Sequence, residues 1–365
     1  MNKKRLLVII MILILCIVGC KKSEDNYKFK DRFNIQLSKK AATIYLDCLK
    51  RNDIEGANAI STPDLVTQNK VKSLADMPIV SFSIGNLTET GLSAYVEYQC
   101  ARINKNSLNA NLDSITVKVV KLGNEYKVSD IKSDNLKEIY VKSNELRSII
   151  NGAGSSELVF TLNDLPAETY PKYITPPIKK EEIPKDKFSA LGISYDGSNL
   201  AFGTTNGKDS FVGIAIVEQE KESMANVQDS LAQGKDGESK GVDENTLRKV
   251  FEKPTAQKII PYDILKDSKI ENLIFTEDEG DLLVQYTQSG KKGMGLKIYK
   301  NPDGKLVEID FEKLFPMDKY NIVYEMATKT ELIISVLTNG ERNDISQDLL
   351  GKYRIDLVKE VMDKI

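Results

Sequence analysis

The spacing of apolar residues changes several times along the chain, and each change marks a different element. From Leu6 to Val18 thirteen apolar residues run unbroken behind Asn2-Lys3-Lys4-Arg5. That is short of the ~20 residues needed to cross a bilayer, and with its cationic start it reads as an export signal. A polar stretch follows. From Leu37 the spacing becomes three and four, with Leu37, Ala41, Ile44, Tyr45, Cys48 and Leu49 on one line, which predicts an amphipathic helix ending near Arg51-Asn52-Asp53. A shorter helix is expected around Ile54 to Ile60. Beyond Pro78 the period falls to two: Leu92, Ala94, Val96, Tyr98 and Cys100 share one strand face, and Ser93, Glu97, Gln99 and Ala101 the other. Ile115, Val117 and Val119 alternate in a further strand, and Leu122-Gly123-Asn124-Glu125 turns the chain into Tyr126-Lys127-Val128. A helix packed on a curled antiparallel sheet is an α+β arrangement, expected here over residues 33–150.

Five of the eleven prolines fall between Pro166 and Pro184. Each removes a backbone donor and fixes φ, so residues 151–187 are expected to be an extended Pro-rich linker. From 188 to 365 the pattern is almost wholly strands, an all-β domain of propeller or sandwich type. Ala190-Leu191-Gly192-Ile193-Ser194, Tyr195-Asp196-Gly197-Ser198-Asn199 and Leu200-Ala201-Phe202-Gly203 form strand, turn and strand. The unit recurs from Leu273 to Tyr286 around Glu277-Asp278-Glu279-Gly280-Asp281, and more weakly from Tyr320 to Ile334. Between 219 and 245 the composition collapses to Gln, Glu, Lys, Asp, Ser and Gly, which predicts a mobile insertion followed by a short helix at Glu244 to Phe251.

Three resemblances follow from these residues. Ile17-Val18-Gly19-Cys20 resembles the lipobox of bacterial lipoproteins. The resemblance implies a signal peptide over 1–19, cleavage before Cys20, a diacylglycerol on its thiol, and a lipidated tether over 20–32. Tyr45-Leu46-Asp47-Cys48-Leu49-Lys50-Arg51-Asn52-Asp53-Ile54-Glu55-Gly56-Ala57 and Gly123-Asn124-Glu125-Tyr126-Lys127-Val128 are similar to the nuclear-transport-factor-like, cystatin-type cone. That family hosts enzymes, binders and spacers alike, so it carries no function with it. Ser194-Tyr195-Asp196-Gly197 before a strand looks like the blade turn of TolB-type β-propellers.

Charge and composition narrow the chemistry. Losing Lys3, Lys4 and Arg5 with the signal leaves 48 basic against 53 acidic residues, about −5, and such a balance does not suit nucleic acid. The chain has no His and no Trp. The lack of His excludes Ser-His-Asp and Cys-His nucleophiles and most zinc sites. Ser129-Asp130-Ile131-Lys132 and Ser133-Asp134-Asn135 match the Ser-x-x-Lys and Ser-Asp-Asn strings of penicillin-recognising enzymes. Here they are contiguous, and Lys329-Thr330-Glu331 lacks the glycine of the third motif. Glu277, Asp278, Glu279 and Asp281 crowd one turn without the ligand spacing of a calcium loop. Tyr95, Tyr98 and Tyr126 are read as core rather than as a ligand pocket. Cys48 and Cys100, on facing sides of helix and strand, are candidates for a disulfide. No catalytic, cofactor-binding or metal site is expected.

The sequence therefore predicts a cell-envelope lipoprotein, held to the membrane through Cys20 on its extracytoplasmic face. It would bind or position an envelope protein partner without catalysis, and any small-molecule ligand is left open. The alternative is a glycan- or peptide-processing hydrolase that uses carboxylates.

Overall fold

The computed structural model describes residues 33–68, 77–152, 155–172, 179–217, 252–340 and 345–365. The signal, the tether with Cys20, and the insertion with its following helix lie outside the described residues. Residues Ile35–Ile365 form one compact unit.

Three helices open the fold: α1 (Ile35–Lys50), α2 (Ile54–Ala59) and α3 (Pro63–Gln68). The buried line of α1 runs through Ser38, Ala42, Tyr45, Leu46 and Leu49, not through Leu37 and Ile44, which are 48% and 40% exposed. The chain turns at Asn52 with φ of 57°, and Asp53 caps α2 by accepting the Gly56 amide at 2.8 Å.

An antiparallel meander of six strands follows, β1 (Ile79–Thr90), β2 (Ser93–Asn104), β3 (Asn109–Leu122), β4 (Glu125–Lys142), β5 (Glu145–Ile150) and β6 (Glu157–Thr161), in sequential order. The expected alternation along β2 is present from Ala94 to Cys100, with Ala94, Val96, Tyr98 and Cys100 buried, whereas Leu92, expected on the same face, lies in the turn ahead of β2 and is exposed. Its phase then changes. Val96, Tyr98, Cys100, Ile115 and Val117 join the core under α1, whereas Ala101, Ile103, Ala110 and Leu112 join a different core. The pairing Cys100↔Asp113 and Ala101↔Leu112 puts these two sets on opposite faces, because side chains alternate along a strand. One end of the sheet buries one face against α1. The other end buries the reverse face against the strands that follow.

This overturns the α+β expectation for residues 33–150. Among the described residues only α1 exceeds seven residues, and it covers only half of one sheet face. The class is mostly β. Where a linker was expected, β6 completes the sheet, and its Phe160 joins an aromatic cluster with Phe188 and Phe202 at centroid distances of 5.6 and 4.8 Å. Beyond it the described part of the segment holds a 3-10 turn (Leu162–Asp164) and a two-residue pair, β7 (Glu168–Thr169) with β8 (Glu181–Glu182).

Three further meanders complete the unit. The second sheet holds β9 (Lys187–Ile193), β10 (Asn199–Thr205), β11 (Ser210–Val217) and β12 (Ala256–Leu265). The third holds β13 (Ser268–Phe275), β14 (Asp281–Gln288) and β15 (Met294–Lys300). The fourth holds β16 (Tyr320–Ala327), β17 (Glu331–Thr338), β18 (Gly351–Asp356) and β19 (Val361–Lys364), with α4 (Phe311–Leu314) ahead of it. Each packs on the next: Ala201 and Ile214 share a core with Leu282 and Tyr286, and Leu283 and Ile298 share one with Ile322 and Ile334. This is propeller-like. The first sheet stands in the ring as well, since Val80 packs against cores on both sides of it and Lys50 donates to the Glu325 carbonyl of β16. Tyr195 marks the hub. Its hydroxyl donates to the Phe275 carbonyl at 3.4 Å, joining the second sheet to the third, and feels the electrostatics of Ser81 in the first and Tyr324 in the fourth.

Candidate functional site

The turns of these meanders fall alternately at two ends, and the ends differ in charge. At one end lie the β9–β10 and β13–β14 turns. Ser194 Oγ donates to Asp196 Oδ1 at 2.7 Å and accepts the Asn199 amide at 3.0 Å. Thr276 Oγ1 donates to Asp278 Oδ1 at 3.1 Å and accepts the Asp281 amide at 3.0 Å. The two turns are thus one device used twice. Between them Glu279 Oε1 accepts the Asp196 amide at 2.8 Å and Oε2 accepts from Asn199 at 3.2 Å. Asp281 pairs with Lys300 at 2.9 Å. Of the four carboxylates read against a calcium loop, Asp278 and Glu279 accept hydrogen bonds within and between these turns, Asp281 pairs with Lys300 and Glu277 faces the cleft, and no group of three or more Cys, Asp or Glu among the described residues is placed to hold a metal. Asp196, Glu277 and Glu279 line a cleft of about 600 Å³ with Tyr195 and Lys137. Asp196 and Glu279 are neighbours in this cleft, joined through the Asp196 amide at 2.8 Å.

The other end is basic. A cavity of about 680 Å³ opens between the β2–β3 turn, the start of β9, and the β10–β11, β12–β13 and β14–β15 turns. It is lined by Lys105, Lys187, Lys208, Lys269 and Lys291 against one carboxylate, Asp267. The turns that carry the lysines are held by local chemistry. Asn206 Oδ1 accepts the amides of Lys208 and Asp209 at 3.0 and 2.8 Å, and Gly207 takes φ of 89°. Asp209 then ties this turn to the next, accepting the Asp267 amide at 2.9 Å and Lys266 Nζ at 3.1 Å. Burial pushes the Asp209 carboxyl up, but these hydrogen bonds outweigh it and hold the group below the usual carboxylate range.

Four of the five lysines have acidic neighbours. Lys105 and Lys269 share Glu271 at 3.7 and 3.0 Å, Lys208 meets Asp267 at 3.5 Å, and Lys291 meets Glu312 at 2.7 Å. Lys187 has no ion-pair partner among the described residues. Counting Glu271 and Glu312, positive charge still exceeds negative by two. Ser189 and Gln288 line the cavity, but Ser189 Oγ and Gln288 Oε1 are closed off from solvent and have no hydrogen-bond partner among the described residues.

No protein-family model matches the chain, and no curated protein matches it. Among solved structures it is similar to the acylaminoacyl peptidase of Pyrococcus horikoshii, at 10% identity over 78% of this chain and 32% of that one, with a TM-score of 0.27. It is similar to oligopeptidase B from Leishmania major at 8% identity over 88% and 42%, TM-score 0.29. The β-propeller domain of the Trilobed protease from Pyrococcus furiosus gives 9% identity over 79% and 84%, TM-score 0.22. The chain spans about a third of the length of the acylaminoacyl peptidase it matches. Likenesses this low carry no argument about activity, and the propeller-like description rests on the sheets themselves.

The residues singled out in the sequence fall elsewhere. Ser133 and Asn135 donate to Asp113 at 3.3 and 2.9 Å, supporting its buried ion pair with Arg102 at 2.6 Å. Ser129 Oγ bonds the Lys118 carbonyl at 3.4 Å, and the exposed Lys132 bonds Asp134 at 2.7 Å. These are cross-strand and same-strand contacts of β4. Tyr98 is core, its hydroxyl 3.0 Å from Thr43 Oγ1, while Tyr95 lies on the reverse face under Lys118 and Tyr126 packs at the core edge. Cys48 and Cys100 share a core but are free thiols in this structure, not a disulfide. The Cys48 sulfur sits at the α1–α2 turn beside Arg51 and Gly56, while Cys100 faces Asp113 on the sheet. Burial pushes both thiols up. Among the described residues no helix is long and apolar enough to cross a membrane.

Proposed function

We propose that this protein is a lipid-anchored, extracytoplasmic binding module of the cell envelope, without catalysis of its own. The observation that carries the binding role is the lysine-lined cavity, an excess of positive charge assembled from three sheets in a chain whose formal net charge is −2. The anchor rests on the apolar run Leu6 to Val18 and on Ile17-Val18-Gly19-Cys20. Two acyl chains on Cys20, each methylene contributing ~0.8 kcal/mol, meet the two-signal requirement for stable attachment. The acidic end of the ring, with Asp196 and Glu277 exposed to the cleft, is the surface for an envelope protein partner. The twin blade turns support kinship with TolB-type propellers.

The test is fractionation of cells that make Cys20→Ser. The variant is expected in the medium, or unprocessed and larger. A variant that is processed, unchanged in mobility and still in the membrane fraction would reject the anchor.

A further inference from the structure

We infer that the lysine-lined cavity binds a phosphodiester that carries small polyol groups. This rests on the binding role proposed above and names its ligand class. The anion is indicated by charge. Among the described residues Lys187 has no ion-pair partner, and Lys208 meets Asp267 with side chains 73% and 48% exposed, where an ion pair is worth little and exchanges readily for a ligand, while Lys105 and Lys269 share a single carboxylate, Glu271. Phosphate is indicated by the donors. The cavity presents several lysine ammonium groups, point charges of the kind that bind phosphate.

The polyol is indicated by the walls. Seryl, threonyl and amide groups separate the lysines, and the cavity's aromatic residue, Phe188, is buried in the core, so no exposed ring is offered to stack a base or a sugar face. The cavity, at about 680 Å³, admits more than one phosphate unit. Such a ligand has two sources, a phospholipid headgroup or a soluble polyol-phosphate chain.

The experiment measures binding of a labelled glycerol-phosphate oligomer to the full chain in neutral detergent, with glycerophosphoglycerol, the deacylated lipid headgroup, as competitor. Saturable, salt-sensitive binding is expected, and Lys187→Gln with Lys208→Gln should weaken it about tenfold. Lys132→Gln, an exposed lysine outside the cavity, should leave it unchanged. Competition at equal phosphate concentration assigns the headgroup, and no competition assigns the longer chain. Absence of binding in both arms, or equal weakening by Lys132→Gln, overturns the inference. If binding fails while Cys20→Ser still releases the protein, the ligand is wrong and the anchored reading stands.

Discussion

Glu279 occupies in the third sheet the place that Gly197 holds in the second, and from there it accepts the amide of Asp196 at 2.8 Å. Both residues follow the turn aspartate and both take a left-handed φ, 61° for Glu279 and 73° for Gly197. A side chain in that conformation costs ~1–2 kcal/mol, which the cross-turn bonds to Asp196 and Asn199 offset. Burial, and then the Asp196 charge, push the Glu279 carboxyl above its ordinary 4.5. The folded state therefore holds this proton more tightly than the unfolded chain, and the contribution of Glu279 to stability falls as pH rises from about 4.5 through the raised value. Glu279→Gln removes that slope. In urea titrations at several pH values the variant's stability relative to the parent should climb with pH over that window and then level. A difference flat with pH would disprove the assignment.

The Arg102–Asp113 pair, with side chains 9% and 3% exposed, lies where the first sheet switches its buried face. Asp113→Ala should cost ~3–5 kcal/mol, because it strands a buried guanidinium. Arg102→Met with Asp113→Leu should recover most of this in the same denaturation assay. A small loss in the single variant would mean the cation reaches water.

Phe160→Ala tests the continuity of the core across the Pro-rich segment. The ring contacts Phe188 and Phe202 and is fully buried, so truncation should cost ~3–5 kcal/mol and lower the whole cooperative transition. Loss of a separate early phase alone would show that the first sheet unfolds independently.

Gly293, just ahead of β15, lies against the backbone that leads into β16. A methyl group there would collide with the carbonyls of Tyr320 and Met317, which cannot rotate away as a side chain can. Gly293→Ala should destabilise by more than ~2 kcal/mol. Gly290→Ala, at φ of 77° with open space around it, should cost only ~1 kcal/mol. Equal thermal shifts for the two would contradict the packing.

The blade turns were legible because their chemistry is local: Ser194-Tyr195-Asp196-Gly197 specifies its own hydrogen bonds within six residues. The strand alternation of β2 was legible too, but what covers each face was not. The change of phase between Cys100 and Ala101 is present in the sequence, yet only the pairing with Leu112 and Asp113 shows that it exchanges one face for the other. The helix face was half legible: Tyr45, Cys48 and Leu49 are buried as read, whereas Leu37 and Ile44 are exposed and Ala42 and Leu46 take their places. The lysine cavity had no sequence signature. Its residues come from five separate segments of three sheets and meet only because hairpin turns alternate between two ends of the ring.

The two-faced first sheet also sets an order of events as the chain, exported as proposed above, emerges N-terminus first across the membrane. β1 to β6 arrive with one apolar half-face covered by α1 and the opposite half-face, around Ala110, Ile139 and Leu146, still bare. Its cover includes Phe211 and Ile264, and Ile264 emerges more than a hundred residues after Leu146. Until then the emerging chain carries an adhesive surface, so its demand on chaperones falls in that interval.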